Sequence, residues 1–175
     1  YQHYKYLSEL SELPIMLYNV PGRTGSNMSP ETTCRLAHDF KNIIATKEAS
    51  GSFDQFNQIM RDKPKDFLLI SGDDPIALPM ISIGAVGVIS VLGNALPKQL
   101  SDMVRLCLNG DFASALPAHL SLLEITRLLF AEGNPAGVKA ALKQLGICDD
   151  TVRLPLVNAS ESLNELIAKQ LRQLN

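Results

Sequence analysis

The chain has 175 residues, 46% of them hydrophobic and 19% charged, which is the composition of a folded globular protein and excludes a disordered or fibrous one. Its 16 basic and 18 acidic residues are spread along the chain and leave a net charge of -2, so no electrostatic footprint for nucleic acid or an anionic membrane is present. The longest apolar stretches, such as Ile81 to Leu92, are interrupted by glycine and serine and fall short of the ~20 residues that a membrane span needs.

The opening residues, Tyr1 to Leu10, read as a helix already under way rather than as a signal peptide. No cap or initiator methionine precedes them, so the expectation is a piece of a longer protein or an isolated half of a fold. An apolar strand follows over Ile15 to Val20 and ends in a loop rich in glycine and proline, Pro21-Gly22-Arg23-Thr24-Gly25. Ser29 caps a helix that has Pro30 at its first position and runs through Thr32 to Phe40. The second strand, Ile43 to Thr46, delivers Lys47 at its end. Ser52 to Asp62 is an amphipathic helix with Phe53, Phe56, Ile59 and Met60 on one face. Phe67 to Ser71 is a third strand, Asp74-Pro75 repeats the cap-and-proline signal before a helix over Ile76 to Ile83, and Gly87 to Val91 is a fourth strand. Helices then fill Pro97 to Leu108, Phe112 to Phe130, Pro135 to Leu145 and Leu163 to Leu174, punctuated by Asn109-Gly110-Asp111 and Gly146.

Continuous apolar strands alternating with helices predict an α/β protein with a buried parallel sheet. A dinucleotide-binding sheet is disfavoured, because no strand is followed by Gly-x-Gly-x-x-Gly; the cluster Gly84-Ala85-Val86-Gly87 precedes a strand. A (β/α)8 TIM barrel is favoured, because polar residues sit at the carboxyl ends of several strands, where barrel active sites assemble. Four strands make up half of such a barrel. Residues 1–92 are therefore expected to be its C-terminal half, strands five to eight, and residues 93–175 the final barrel helix with a C-terminal helical region.

Lys47 carries the chemistry. A lysine brought to the end of a buried strand loses solvation, which favours the neutral amine, and neutral amines form Schiff bases with carbonyl substrates. The phenol of Tyr18 and the guanidinium of Arg23 end the preceding strand, so the trio suggests carbonyl chemistry on a substrate that bears a carboxylate. The plainer readings are a snorkelling lysine, a core tyrosine and a solvated loop arginine. Glu48 is expected to point to the opposite side of its strand and make structural hydrogen bonds, and Asp74 to cap a helix. Cys34, Cys107 and Cys148 are scattered without metal-ligand spacing and suit a reducing cytoplasm as small buried hydrophobes. His3, His38 and His119 are isolated and read as surface or helix-face residues, so no metal site is expected.

At Tyr18 to Gly25, Ile43 to Gly51 and Ser71-Gly72-Asp73-Asp74, and again at Gly87 to Val91 and Asn134-Pro135 through Arg153-Leu154-Pro155, the sequence resembles the 4-hydroxy-tetrahydrodipicolinate synthase (dihydrodipicolinate synthase) family. The Tyr-Asn-Val-Pro segment and the lysine strand are shared with a wider superfamily of class I aldolases that includes N-acetylneuraminate lyase; Arg23-Thr24-Gly25 is more typical of the synthases. The resemblance implies condensation of pyruvate with aspartate semialdehyde in lysine and diaminopimelate biosynthesis, by a cytoplasmic homo-oligomer, tetramer or dimer. By that resemblance Lys47 is the Schiff-base lysine, Tyr18 a proton relay, Arg23 the arginine that recognises the semialdehyde carboxylate, and Gly72 and Ile89 backbone positions lining the pyruvate pocket. No cofactor is implied, since the lysine supplies the electron sink. The family's glycine-rich pyruvate loop and the remaining relay residues belong to its N-terminal half, so these residues alone are expected to be inactive. Two alternatives stand beside this reading: a sialic acid or keto-deoxy sugar acid lyase, which would offer hydroxyl-binding groups in the Arg23 loop, and a non-catalytic half-barrel.

Overall fold

The computed structural model describes residues 1–174, which form two compact units, Tyr1–Ile89 and the residues from Ser90 onward. In the first unit the order is α1 (Gln2–Leu10), β1 (Ile15–Asn19), α2 (Pro21–Thr24), α3 (Pro30–Asp39), β2 (Ile43–Glu48), α4 (Phe53–Asp62), β3 (Leu68–Ser71), a 3-10 turn (Asp74–Ile76) and α5 (Ala77–Ser82). Two of these helices, α3 and α4, begin where side-chain oxygens replace missing backbone acceptors. Ser29 accepts from the Thr32 amide ahead of Pro30, and Ser52 accepts from the Gln55 amide, each satisfying one of the orphan donors of a first turn.

The three strands pair in parallel in the order β1-β2-β3. Tyr18 lies opposite Lys47 and Lys47 opposite Ile70; one step on, Asn19, Glu48 and Ser71 stand in line. Because side chains alternate across a strand, these two rows face opposite sides of the sheet. The face carrying Leu17, Asn19, Thr46, Glu48, Leu69 and Ser71 is buried, with α3 against β2 and α5 against β3. The other face carries Met16, Tyr18 and Leu68, which are 39–43% exposed. Leu17, Leu36, Ile43 and Phe67 form a core cluster on which Tyr4, Ile15, Met28 and Phe40 pack.

Three features differ from the sequence expectation. Gly87 to Val91 is not a strand; among the described residues it joins the sheet only through a bridge from Ser71 to Val88. The Val86 amide donates to the Leu69 carbonyl and the Ile89 amide to the Ser71 carbonyl, but the backbone turns helical at Val91, ahead of the 3-10 turn Leu92–Asn94, and pairing stops there. The segment around Arg23 is a short helix ended by Gly25 in the left-handed region at φ 67°, not an open loop. Asp74 is the first residue of its 3-10 turn and Asp73 takes the cap position.

The second unit is helical: α6 (Pro97–Leu108), α7 (Phe112–Phe130), α8 (Ala136–Gln144) and α9 (Glu161–Leu174). α7 touches each of the other three helices, and Met103, Ile125, Leu129 and Ile167 are at most 1% exposed. Gly137 lets α8 approach α7 so closely that a Cβ there would collide with the Leu129 backbone. His119 is buried on α7, and burial lowers its pKa. Cys34 and Cys107 are buried, whereas Cys148 is exposed, against the expectation for that thiol. No helix among the described residues is long and apolar enough to cross a membrane.

Candidate active site

Parallel strands present their carboxyl ends, and the groups attached there, on one side of the sheet. Tyr18 is the penultimate residue of β1, Lys47 the penultimate residue of β2, and Gly72 directly follows β3. Register does the rest: Tyr18 and Lys47 are paired neighbours on the exposed face, and the Lys47 ammonium lies 4.0 Å from the centre of the Tyr18 ring. That distance is a cation–π contact, in which the ring face attracts the charge. No carboxylate among the described residues pairs with Lys47, and the residue is half-buried rather than fully desolvated.

Gly72 closes on this pair from the β3 side. Its amide donates to the Glu48 carbonyl at 2.8 Å, holding the turn after β3 against the end of β2. A Cβ at position 72 would stand 2.7 Å from the Ala49 Cβ and 3.1 Å from the Lys47 Cγ, so only glycine permits the approach. Next to it, the Asp73 carboxyl is raised above its ordinary value by burial and then by neighbouring Asp74. Ile89 hangs on the Ser71 carbonyl by its amide at 2.9 Å and is 41% exposed. Arg23 stands apart. It is exposed on α2, and its guanidinium makes no hydrogen bond or ion pair among the described residues. A cavity of about 430 Å³ is lined by Tyr18, Asn19, Thr24 and Asn27 together with Tyr1 and Tyr4, and Lys47 is not part of its wall.

Behind Lys47, on the buried face, lies a cluster that sequence reasoning found only in part. Glu48 is 0% exposed and, as expected, makes structural hydrogen bonds. Its carboxylate accepts from Asn19 Nδ2 at 3.0 and 3.1 Å, from Gln55 Nε2 at 3.1 Å and from the Ser50 amide at 2.8 Å. Asn19, Gln55 and Asn27 were missed. The available signal was polarity out of place: an asparagine inside an apolar strand, and a glutamine on the inward side of an amphipathic helix. No group of three histidine, cysteine, aspartate or glutamate side chains among the described residues could hold a metal ion.

The model of the dihydrodipicolinate synthetase family matches residues 1–174. The chain is 59% identical over 157 residues to the 4-hydroxy-tetrahydrodipicolinate synthase of Phocaeicola vulgatus, covering 90% of this chain and 53% of that protein. It is 53% identical over 175 residues to the enzyme of the same name from Parabacteroides distasonis, covering 100% of this chain and 59% of that one. Among solved structures, the dihydrodipicolinate synthase of Thermotoga maritima superposes with a TM-score of 0.96 at 40% identity, covering 98% of this chain and 59% of that chain. The chain thus spans rather more than half the length of the relatives it matches, as a partial barrel would. With one family model matching nearly every residue and relatives this similar, the chain belongs to the dihydrodipicolinate synthetase family.

Proposed function

We propose that the protein carrying this chain is a 4-hydroxy-tetrahydrodipicolinate synthase, which condenses pyruvate with aspartate semialdehyde through a Schiff base on Lys47. The observation that carries the reading is the pair of Lys47 and Tyr18, an amine without a carboxylate partner held 4.0 Å from a phenol ring at the carboxyl ends of paired strands. Lys47 Nζ adds to the keto carbon of pyruvate and water leaves, giving an imine. Loss of a methyl proton from the imine gives an enamine, whose carbon bonds to the aldehyde carbon of the second substrate. The substrate's own amine then attacks the imine carbon, closes the ring and releases the lysine. Tyr18 relays protons beside the imine, and the planar fork of Arg23 receives the semialdehyde carboxylate. Gly72 and Ile89 shape the pyruvate pocket through their backbones. In this reading the chain supplies strands five to eight of an eight-stranded barrel, the last as a short bridged segment, with the helical unit following. On the family resemblance the protein works in the cytoplasm as a tetramer or dimer.

The test is turnover by the whole protein. Pyruvate with aspartate semialdehyde should give the cyclic product, and Lys47→Ala should abolish it. Cleavage of N-acetylneuraminate or a keto-deoxy sugar acid, without condensation, would overturn the substrate assignment in favour of a lyase.

A further inference from the structure

Arg23 poses a physical problem: an exposed side chain with no partner of its own can recognise a substrate only if something else fixes the backbone beneath it. The backbone is fixed from both ends. Before α2, Asn19 is the last residue of β1, and its side chain donates to the buried Glu48 carboxylate. After α2, the Met28 amide donates to Asn19 Oδ1 at 3.0 Å, and Asn19 Nδ2 donates to Asn27 Oδ1 at 2.8 Å. Gln55, on the first turn of α4, closes the ring: it accepts from Asn27 Nδ2 at 3.0 Å and donates to the Met28 carbonyl at 3.2 Å and to Glu48 at 3.1 Å. Within the turn, Thr24 Oγ1 donates to the Val20 and Ser26 carbonyls.

The consequence is geometric. Glu48 is the residue after Lys47 and Asn19 the residue after Tyr18, so one buried carboxylate ties together the two strand ends and the segment that returns from Arg23. We infer that Asn27 is a positioning residue for the second substrate: through Asn19, Gln55 and Glu48 it sets where Arg23 stands relative to Lys47. The inference rests on the roles proposed above for those two residues. Asn27 is exposed, so its truncation removes the clip without opening the core.

The experiment is a double-mutant cycle in the full-length protein with Asn27→Ala, Arg23→Ala and both together, reading KM for aspartate semialdehyde, kcat, and the rate of borohydride trapping of pyruvate. Asn27→Ala should raise that KM about tenfold while pyruvate trapping stays within about twofold, because only the clip to the Arg23 segment is lost. If Asn27 acts through Arg23, the double variant is no worse than Arg23→Ala, since residues coupled in one network do not add. Asn27→Gln, which keeps both the amide donor and the acceptor, should recover most of the KM, and it provides the measurement should the alanine variant fail to fold. Penalties that multiply, trapping that falls in step with KM, or a glutamine variant as impaired as the alanine one would each overturn the inference. No pyruvate adduct in the unsubstituted protein would instead overturn the underlying reading, and the inference with it.

Discussion

Replacing Gly72 by alanine adds one carbon at the tightest point of the site. That carbon would sit 2.7 Å from the Ala49 Cβ, 3.1 Å from the Glu48 carbonyl oxygen and 3.1 Å from the Lys47 Cγ. Carbon atoms ordinarily meet at ~3.5–4.0 Å, so the first contact is short by about 1 Å. Two of the three obstructing atoms belong to the end of β2 or its backbone, and the 2.8 Å bond from the Gly72 amide to Glu48 resists separation. Overpacking of this kind costs about 1–3 kcal/mol of stability. It also displaces the stem of Lys47, and a misplacement of ~1 Å in a reacting group lowers rate by about a hundredfold. Urea denaturation reads the first effect as a lower midpoint at unchanged slope, and the rate of borohydride trapping with pyruvate reads the second. Gly22→Ala is the control: nothing lies within 4 Å of the Cβ it would add, so both quantities should hold. A Gly72→Ala protein with the unsubstituted midpoint and trapping rate would refute the claim that Gly72 is required by its approach to Lys47.

Arg23→Ala should lose about 2–3 kcal/mol of transition-state stabilisation toward aspartate semialdehyde while still trapping pyruvate; equal losses in both assays would make Arg23 a support for the pocket as a whole. Asp73 supplies a pH prediction with a defined sign. Its carboxyl is raised above the ordinary 3.8, so in the window between the two values the folded chain holds a proton that the unfolded chain has released, and stability falls as pH rises through it. Asp73→Asn should therefore raise the melting temperature near neutral pH, with the difference closing below the ordinary aspartate range; a constant difference across pH would sink the assignment. Gly137→Ala in the helical unit should destabilise by about 1–3 kcal/mol, because its Cβ collides with the Leu129 backbone; an unchanged melting temperature would show that α7 and α8 can part without penalty.

Locally encoded features were legible in the sequence. Ser29 caps its helix in place, and the three apolar runs that begin at Ile15, Ile43 and Phe67 supply strands that pair in parallel, because caps and apolar runs depend on residues a few positions apart. Gly87 to Val91 failed as a strand because its β-branched composition says nothing of where pairing ends, and the turn at Val91 ends it early. The Lys47 and Tyr18 pairing was readable as a possibility, but its register comes from hydrogen bonds between segments 29 residues apart. The ring of Asn19, Asn27, Gln55 and Glu48 was hidden in the same way, because it closes only through the links from Asn19 to Glu48 and from Asn27 to Gln55, 29 and 28 residues apart. Asn19 and Gln55 show only as polar residues at inward positions, and tertiary contact reveals that their two side-chain amides satisfy one buried carboxylate while Asn27 bonds to both of them.

The central claim is that Lys47 is the amine that bonds to pyruvate, and peptide mapping after reduction tests it most directly. The full-length protein is treated with borohydride in the presence and absence of pyruvate, digested, and its lysine peptides are weighed. A reduced three-carbon adduct should appear on the peptide containing Lys47, only with pyruvate, and should vanish in Lys47→Arg. An adduct on another lysine, such as Lys139 or Lys41, or none at all, would contradict the account.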